Sequence, residues 1–291
     1  MNKPVELDLP VDGGTLRVLR FGDGPRVAVA AHGITASGMS FSGVARHLPD
    51  DWSLFAVDLR GRGGSTGTPG PYGIEQHAAD VCAAAERWGG GREVALTGQS
   101  MGAYVALRAA VRRPGLFSRL LLIDGGLPLP FPEGADPDAV LDATLGPAIA
   151  RLAMTYPDEA AYVDFFQAHP ALGPYWSEDI EAYVRYDLMG PAGELRSRAR
   201  EEAVRQDGRE LLTLNAEFAK NVTELTVPAH LLYAPRGLFD AAPGMLPEPL
   251  VRQFAGHLTV EEVPDCNHYT ILMGGAAGVV AERLGGWVVG G

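Results

Sequence analysis

One pentapeptide of the chain has the spacing of a nucleophilic serine turn. Residues 98–102 read Gly-Gln-Ser-Met-Gly and fit the pattern G-x-S-x-G. The apolar residues 94–96 predict a strand before it, and the pattern after it predicts a helix. Such a turn lifts the serine hydroxyl above the sheet, and it needs small residues because strand and helix come close there. The pattern predicts Ser100 as a nucleophile; the alternative is an ordinary strand–helix turn.

A serine hydroxyl is a poor nucleophile at neutral pH, so Ser100 needs a base. The last of the seven histidines, His268, lies in the loop 264–268, directly after the predicted strand 258–263. In a parallel sheet, the loops at the carboxyl ends of the strands gather over one crevice. We therefore expect His268 to reach Ser100 and take its proton; the alternative is a surface or helix-capping histidine.

The backbone after another predicted strand offers hydrogen-bond donors for a negatively charged oxygen. His32, Gly33 and Ile34 follow the apolar run 26–31, and the glycine allows a sharp turn. We predict that the N–H of Ile34 joins that of Met101 in an oxyanion hole. His32 is expected to orient this loop by hydrogen bonding rather than to transfer protons.

These residues need a sheet to position them, and apolar runs alternate with helical patterns through the first half of the chain and again near its end. Eight segments have the composition of strands: 5–9, 15–21, 26–31, 53–57, 93–97, 119–123, 230–233 and 258–263. Repeated strand–helix–strand units predict a parallel sheet with helices on both faces. The expected fold class is therefore α/β, with a mostly parallel eight-stranded sheet.

The alternation of strands and helices stops in the middle of the chain. Residues 128–223 contain several helical patterns, broken by prolines, and no convincing strand. We therefore predict one α/β core made of residues 1–127 and 224–291. The all-helical segment 128–223 is expected to be an insertion into this core.

Four segments together resemble the α/β-hydrolase superfamily, in its branch with a serine nucleophile. They are the His32-Gly33 turn, residues 58–65 (Asp-Leu-Arg-Gly-Arg-Gly-Gly-Ser), the turn 98–102, and Asn267-His268. The resemblance covers nearly the whole chain in order. It implies the α/β-hydrolase fold with the insertion as a helical lid. It also implies a nucleophile, an acid and a histidine in that order along the chain.

The acid is where the chain departs from the common pattern of this superfamily. Most members carry it just after the strand that matches 230–233, but the turn here reads Ala-Pro-Arg-Gly, and Asp240 comes several residues later. A less common arrangement, also found in superfamily lactonases that open resorcylic macrolides, places the acid after the preceding strand, where Asp124 stands. A carboxylate at the end of a buried strand is costly unless it is paired, for instance with an imidazole. We assign Asp124 as the acid that orients His268, with Asp240 as the alternative.

Composition argues against several other classes of protein. The net charge of −12 disfavours nucleic acid and anionic membranes as partners. Two cysteines are too few for a disulfide scaffold and lack the spacing of a zinc site. No secretory signal and no apolar run of about 18 residues is visible. We expect a cytoplasmic protein, a monomer or a homodimer, that needs no metal or organic cofactor.

The predicted lid is rich in aromatic residues, most of which are expected to form its own core. Tyr175 and Trp176 differ because they are adjacent in a predicted loop, and adjacent residues cannot both face inward on a helix. We expect this pair to bind substrate, with Trp176 lining the pocket. An aromatic lid suits an apolar, ring-containing substrate.

Together these residues predict a cofactor-independent serine hydrolase that cleaves a carboxylic ester or lactone of an apolar small molecule through an acyl-enzyme. The same residues also suit a carbon–carbon bond hydrolase, a thioesterase or an acyltransferase, so these remain alternatives. A third hypothesis is a ligand-binding protein that has kept the pocket; an intact Ser100 and His268 argue against it.

Overall fold

A computed structural model describes residues 3–132 and 134–286 of the chain. Eight of its strands form one sheet, and each overlaps a predicted strand segment. In chain order they are β1 (Val5–Val11), β2 (Gly14–Phe21), β3 (Arg26–Ala31), β4 (Trp52–Val57), β5 (Val94–Gln99), β6 (Phe117–Ile123), β9 (Ala229–Tyr233) and β10 (Thr259–Glu262). Two short strands outside this sheet, β7 (Leu188–Met189) and β8 (Arg196–Ser197), lie between β6 and β9. The prediction of an eight-stranded sheet is therefore confirmed.

The sheet is mostly parallel and has the order β1-β2-β4-β3-β5-β6-β9-β10. Strand β2 pairs antiparallel with both β1 and β4, whereas every other neighbouring pair is parallel. The carboxyl ends of β3, β5, β6 and β9 therefore lie side by side at one edge. Loops that carry chemistry collect at such an edge in open α/β sheets.

The central strands are buried on both faces. All six residues of β5 are buried, as a parallel strand between two helical layers requires. Side chains of β6 alternate: Leu120 and Leu122 pack into one apolar cluster, whereas Leu121 and Ile123 pack into the other. The two clusters are the cores above and below the sheet.

The described residues form ten α-helices beside the strands. They are α1 (Ser42–His47), α2 (Ile74–Gly89), α3 (Met101–Arg112), α4 (Pro137–Leu152), α5 (Glu159–Gln167), α6 (Glu178–Tyr186), α7 (Glu201–Thr213), α8 (Asn215–Glu224), α9 (Glu248–Phe254) and α10 (Gly274–Gly286). Helices α2 and α3 pack on one face of the sheet, and α1 and α10 pack on the other. Helices on both faces of a parallel sheet confirm the predicted α/β fold class.

The chain between β6 and β9 carries the inserted helices. Helices α4 and α7 pack together so closely that a Cβ atom on Gly208 of α7 would lie 2.6 Å from a methyl group of Leu141. Helices α5 and α6 carry aromatic and aliphatic side chains that join the second core cluster. Tyr156, Tyr162 and Phe166 meet there edge to face, so these aromatic residues form the core of the insertion, as expected.

The prediction that the insertion is all-helical is wrong in one detail. Strands β7 (Leu188–Met189) and β8 (Arg196–Ser197) pair antiparallel on either side of an exposed turn. Two-residue strands are too short to show the period-two pattern by which strands are recognised in a sequence. The role of the insertion as a lid stays a prediction. No helix within residues 3–132 and 134–286 is both long and apolar enough to cross a bilayer.

Candidate active site

Ser100 occupies the sharp turn between β5 and α3. Its backbone has φ 55° and ψ −124°, a region that side-chain-bearing residues rarely adopt. A Cβ atom on Gly98 would lie 2.0 Å from the carbonyl oxygen of Gly102, and one on Gly102 would lie 2.0 Å from that of Ala31. The two glycines of the G-x-S-x-G pattern are therefore required by backbone contacts, which hold Ser100 above the end of the sheet.

His268 and Asp124 are hydrogen bonded at the same edge of the sheet. Asp124 follows β6 directly, and its Oδ2 accepts a 2.6 Å hydrogen bond from His268 Nδ1. Its Oδ1 accepts a second bond, 3.1 Å long, from the N–H of Ala234. Both side chains are buried. Because Nδ1 carries the proton that it donates to the carboxylate, the other ring nitrogen, Nε2, keeps its lone pair.

Gln99, which precedes Ser100 in the serine turn, contacts the loop of His268, a role that the sequence pattern does not indicate. Its Nε2 donates a 2.9 Å hydrogen bond to the carbonyl oxygen of His268 and lies 3.4 Å from the Nε2 of that ring. Ser100 Oγ makes no hydrogen bond to a described residue. Hydrogen bonds between a nucleophilic serine and its base are often long or misaligned until substrate binds. The lack of a bond from Ser100 Oγ to His268 is therefore compatible with proton transfer in a complex with substrate.

Ile34 and Met101 lie beside Ser100, as the oxyanion-hole prediction requires. Both line the same cavity as Ser100 and His268. Neither N–H donates a hydrogen bond to another described residue. A Cβ atom on Gly33 would lie 3.3 Å from the Cβ of Ser100, which shows how closely the two turns approach. The two N–H groups are thus free to bind an oxygen atom of a ligand.

The loop that carries Ile34 is held by two buried side chains. His32 donates from Nδ1 to the carbonyl oxygen of Gly33 (2.7 Å), and its Nε2 accepts from the N–H of Leu59 (3.0 Å). Burial lowers the pKa of His32 to about 3, so the ring is neutral at pH 7. Arg62 donates from Nε to the carbonyl oxygen of Ile34 (3.0 Å). His32 therefore orients this loop, and Arg62 is a second anchor that sequence reasoning missed.

The cavity over Ser100 is largely apolar. Helices α4 and α7 of the insertion and the loop before α9 supply most of its aliphatic side chains, including Leu141, Leu145, Leu211, Leu212, Leu238 and Leu246. An apolar wall with a few converging polar groups is typical of small-molecule sites. The inserted helices therefore contact any ligand that occupies this cavity.

Asp240, the alternative acid, lies in a different cluster. Its Oδ1 accepts from Arg236 Nε (2.7 Å) and Asn267 Nδ2 (2.9 Å), and its Oδ2 accepts from the hydroxyl of Tyr175 (2.8 Å). Burial alone raises the pKa of Asp240, but these three donors outweigh burial and lower it. The structure thus brings Asp124 to His268 and leaves Asp240 bonded elsewhere.

Tyr175 and Trp176 are not where the substrate-binding prediction put them. Neither lines the cavity over Ser100. The hydroxyl of Tyr175 is engaged by Asp240, and Trp176 packs against the second apolar cluster. Tyr175 ends the short 3-10 turn Gly173–Tyr175 and Trp176 follows it, and both side chains are partly buried against the second apolar cluster, a placement that local spacing alone does not encode.

The arrangement of possible metal ligands and of the two cysteines completes the description of the site. Residues 3–132 and 134–286 contain no group of three or more His, Cys, Asp or Glu side chains placed to hold a metal ion. The two cysteines, Cys82 and Cys266, are both free and buried. The candidate site therefore consists of Ser100, His268, Asp124 and the two backbone N–H groups.

This sheet order, with the serine turn after β5, defines an α/β-hydrolase. The model of the alpha/beta hydrolase family matches residues 28–283, so the chain belongs to that family. The chain is 33% identical over 131 residues to lipase LipV of Mycobacterium tuberculosis, covering 45% of this chain and 48% of the lipase. It is 38% identical over 108 residues to N-formylmaleamate deformylase of Pseudomonas putida, covering 36% and 40% of the two chains. The chain thus matches less than half the length of these relatives.

Solved structures resemble the protein over nearly its whole length. A crystal structure of E-2-(acetamidomethylene)succinate hydrolase superposes with a TM-score of 0.77 at 22% identity and covers 96% of this chain and 98% of that one. At this level of identity the likeness shows the fold. The protein is therefore a member of the alpha/beta hydrolase family by its sequence and fold, and its reaction has to be argued from the site.

Proposed function

We propose that the protein is a serine hydrolase that cleaves a carboxylic ester or lactone of a largely apolar small molecule through an acyl-enzyme. The observation that carries the proposal is the bond between His268 Nδ1 and Asp124 Oδ2, which orients the imidazole beside the turn of Ser100. A serine, a base and a group that orients the base are the parts that nucleophilic acyl transfer needs.

The proton steps follow from the tautomer that Asp124 selects. His268 Nε2 takes the proton of Ser100 Oγ as that oxygen attacks the carbonyl carbon, and the imidazolium is stabilised by Asp124. The same proton passes to the leaving alkoxide when the carbon–oxygen bond breaks. Water then attacks the acyl-enzyme, again losing its proton to His268, and Ser100 is released. All these steps use groups of this chain.

The charge that develops on the carbonyl oxygen needs donors that are already in place. The N–H groups of Ile34 and Met101 supply them, because neither donates a hydrogen bond to another residue that the structure describes. His32 and Arg62 hold the loop of Ile34, so this donor does not have to be ordered during the reaction. Removal of one such donor typically costs about 10²–10³ in kcat.

The apolar wall supports a substrate that is largely hydrocarbon around its reacting carbonyl. Leucines from α4 and α7 face this space, and burial of apolar surface is worth about 25 cal/mol per Å². Hydrolysis of an amide is a second candidate, because one relative is named for removing an N-formyl group. The chemistry would be the same up to the leaving group, which would be an amine.

The first test is hydrolysis of p-nitrophenyl acetate and p-nitrophenyl octanoate, an N-formyl amide, and a thioester. We expect turnover of the esters by the wild type and a loss of about 10³-fold or more in Ser100→Ala. Ser118→Ala is the matched control, because Ser118 lies near the start of β6, at the opposite edge of the sheet. Intact mass spectrometry after mixing should show one acyl group on the wild type and none on Ser100→Ala.

Two results would contradict the proposal. Equal rates in folded wild type and folded Ser100→Ala would exclude Ser100 as the nucleophile. Turnover of the amide or thioester with none of either ester would replace the proposed bond type while keeping the site. Circular dichroism of each variant separates these results from a loss of folding.

A further inference from the structure

A second cavity lies next to the cavity over Ser100. Side chains of α4, α5 and α6 line it. The two cavities share six residues: Thr35, Thr144, Leu145, Ala148, Leu238 and Tyr269. Phe165 supplies part of its apolar wall. Nothing in the proposed chemistry of Ser100 uses this space.

The most polar group in its wall is the guanidinium of Arg151. The side chain is buried, and its Nη1 donates to Asp187 Oδ2 (2.9 Å) and to the hydroxyl of Tyr162. Its Nε and Nη2 make no hydrogen bond to a described residue. A buried guanidinium with unused N–H groups is costly unless a ligand completes its hydrogen bonds.

Three neighbouring side chains in the same wall also have unused donors. The hydroxyls of Tyr183 and Tyr269 make no hydrogen bond to a described residue, and burial raises the pKa of Tyr269 to about 12. His169 Nδ1 accepts from the N–H of Ala171 (3.2 Å), so the proton of the neutral ring is on Nε2. Burial, assisted by the charge of Arg151, lowers the pKa of His169 and keeps it neutral at pH 7.

The unused groups therefore share one chemical character. Arg151, Tyr183, Tyr269 and His169 all offer N–H or O–H groups, and a carboxylate has two oxygens with about four acceptor sites. Hydrogen bonds from a guanidinium to a carboxylate are about twice as strong as neutral ones. Asp187 already accepts from Arg151, but its carboxylate does not line the cavity, so it does not occupy the remaining donors.

We propose that the second cavity is a specificity subsite that binds a carboxylate carried by the substrate while the scissile carbonyl lies at Ser100. The inference rests on the proposed function and refines its substrate class to a half-ester or lactone acid. The ring of Tyr269 lies 5.6 Å from that of His268 and 5.5 Å from that of His169. Tyr269 lines both cavities, so an acyl chain that extends from Ser100 past this ring would reach the unused donors, which suits a medium-length diacid.

The test compares two esters that differ at the far end of the acyl chain. p-Nitrophenyl hydrogen suberate carries a terminal carboxylate, and p-nitrophenyl octanoate has the same number of acyl carbons without it. We expect kcat/KM of the wild type to favour the suberate half-ester by about tenfold or more, the change that one charge-assisted hydrogen bond produces. Solution chemistry supplies no such preference.

Two variants assign the preference to the second cavity. Tyr183→Phe removes one oxygen atom that makes no hydrogen bond to a described residue, so folding should not change. KM for the suberate half-ester should rise several-fold with kcat unchanged, and KM for octanoate should change much less. Arg151→Lys keeps the charge opposite Asp187 but loses the planar fork, and KM for the half-ester should rise about tenfold. Tyr233→Phe is the control, since Tyr233 lies outside both cavities.

The subsite proposal fails if the wild type hydrolyses both esters with equal kcat/KM or prefers octanoate, or if Tyr183→Phe affects both esters alike. If the wild type hydrolyses neither ester in a reaction that depends on Ser100, the result counts instead against the proposed function. In that case titration calorimetry of suberate and of octanoate with the wild type decides the subsite alone. Binding of suberate that weakens in Tyr183→Phe supports it, and absence of suberate binding overturns it.

Discussion

Arg62 of the core and Asp207 of the inserted helix α7 form a fully buried ion pair, with 2.6 Å between Nη1 and Oδ2. Asp207 also accepts from the N–H of Gly73 (2.6 Å) and from His77 (3.0 Å). The same Arg62 holds the carbonyl of Ile34. One charged pair thus connects the insertion to the backbone that would bind the oxyanion.

Asp207→Asn should lower the free energy of unfolding by about 3–5 kcal/mol, because it leaves the buried charge of Arg62 without its partner. Burial alone raises the pKa of Asp207, but Arg62 and His77 outweigh it and hold the pKa at about 2. The pair therefore stabilises the fold above about pH 4, and this stabilisation is lost as pH falls toward 2. Urea unfolding at pH 7 measures the loss.

Asp142→Asn is the control for that experiment. Asp142 pairs with Arg205 at the surface, where both side chains contact water and such a pair is worth about 1 kcal/mol or less. Equally small losses in the two variants would mean that the buried pair does not hold the insertion. If Asp207→Asn also lowers kcat on a p-nitrophenyl ester, the link to Ile34 is functional.

Asp124→Asn should reduce kcat by about 10⁴-fold, since an amide cannot hold the tautomer of His268 or stabilise its imidazolium. Asp240→Asn should stay within about tenfold of the wild type, because Asp240 contacts Arg236, Tyr175 and Asn267 instead of the imidazole. Steady-state hydrolysis of a p-nitrophenyl ester by both variants measures this. The opposite ranking, with Asp124→Asn active and Asp240→Asn inactive, would make Asp240 the acid.

Tyr186→Phe should destabilise the protein more at pH 8 than at pH 5. Burial raises the pKa of Asp58 to about 6, and the hydroxyl of Tyr186 opposes this rise by donating a 2.6 Å bond to its carboxylate. Because the folded pKa lies above the usual carboxyl value, stability from this group is lost as pH rises from about 4 to about 6. Without Tyr186 the ionised form loses a donor, at a cost of about 1.5–3 kcal/mol.

Urea unfolding of the wild type and Tyr186→Phe at the two pH values gives this difference. Tyr72→Phe serves as the reference, because the hydroxyl of Tyr72 binds the exposed carboxylate of Glu202. A loss in Tyr186→Phe that is the same at pH 5 and pH 8 would show that Asp58 does not titrate in this range.

Gly102→Ala should prevent folding or destabilise it by several kcal/mol, since the new Cβ would lie 2.0 Å from the carbonyl oxygen of Ala31 in a strand that cannot move away. Gly115→Ala is the comparison, because a Cβ atom there meets nothing within 4 Å. Thermal unfolding followed by circular dichroism tests the pair. A stable Gly102→Ala protein would mean that the serine turn is less tightly packed than the structure indicates.

Sequence analysis predicted those parts of the molecule whose structure follows from a pattern among neighbouring residues. Apolar runs located all eight sheet strands, and the spacing of Gly98, Ser100 and Gly102 located the turn above them. The order of strands then brought Asp124 and His268 together, because both follow strands whose carboxyl ends share one edge. Their catalytic roles remain predictions for the kinetic tests above.

Other parts depend on contacts between distant residues and left no such pattern. Arg62 and Asp207 are 145 positions apart, and each looks like an ordinary surface charge in its own segment. Gln99 reads as the variable position of the G-x-S-x-G pattern, although its amide contacts the loop of His268. Trp176 packs against the second apolar cluster, whose members come from distant parts of the chain, so local spacing does not report its place.

The short pairing of β7 with β8 places an exposed turn between the two parts of the proposed machinery. Residues 190–194 are all exposed. Ser100, Asp124 and the oxyanion donors precede this turn, whereas His268 follows it. Two separately produced fragments divided here would each be inert, and ester hydrolysis would report their reassembly. Under the proposed function, fragments divided at this turn would form a split-enzyme reporter, in which colour from a p-nitrophenyl ester would signal that two fused partners have met.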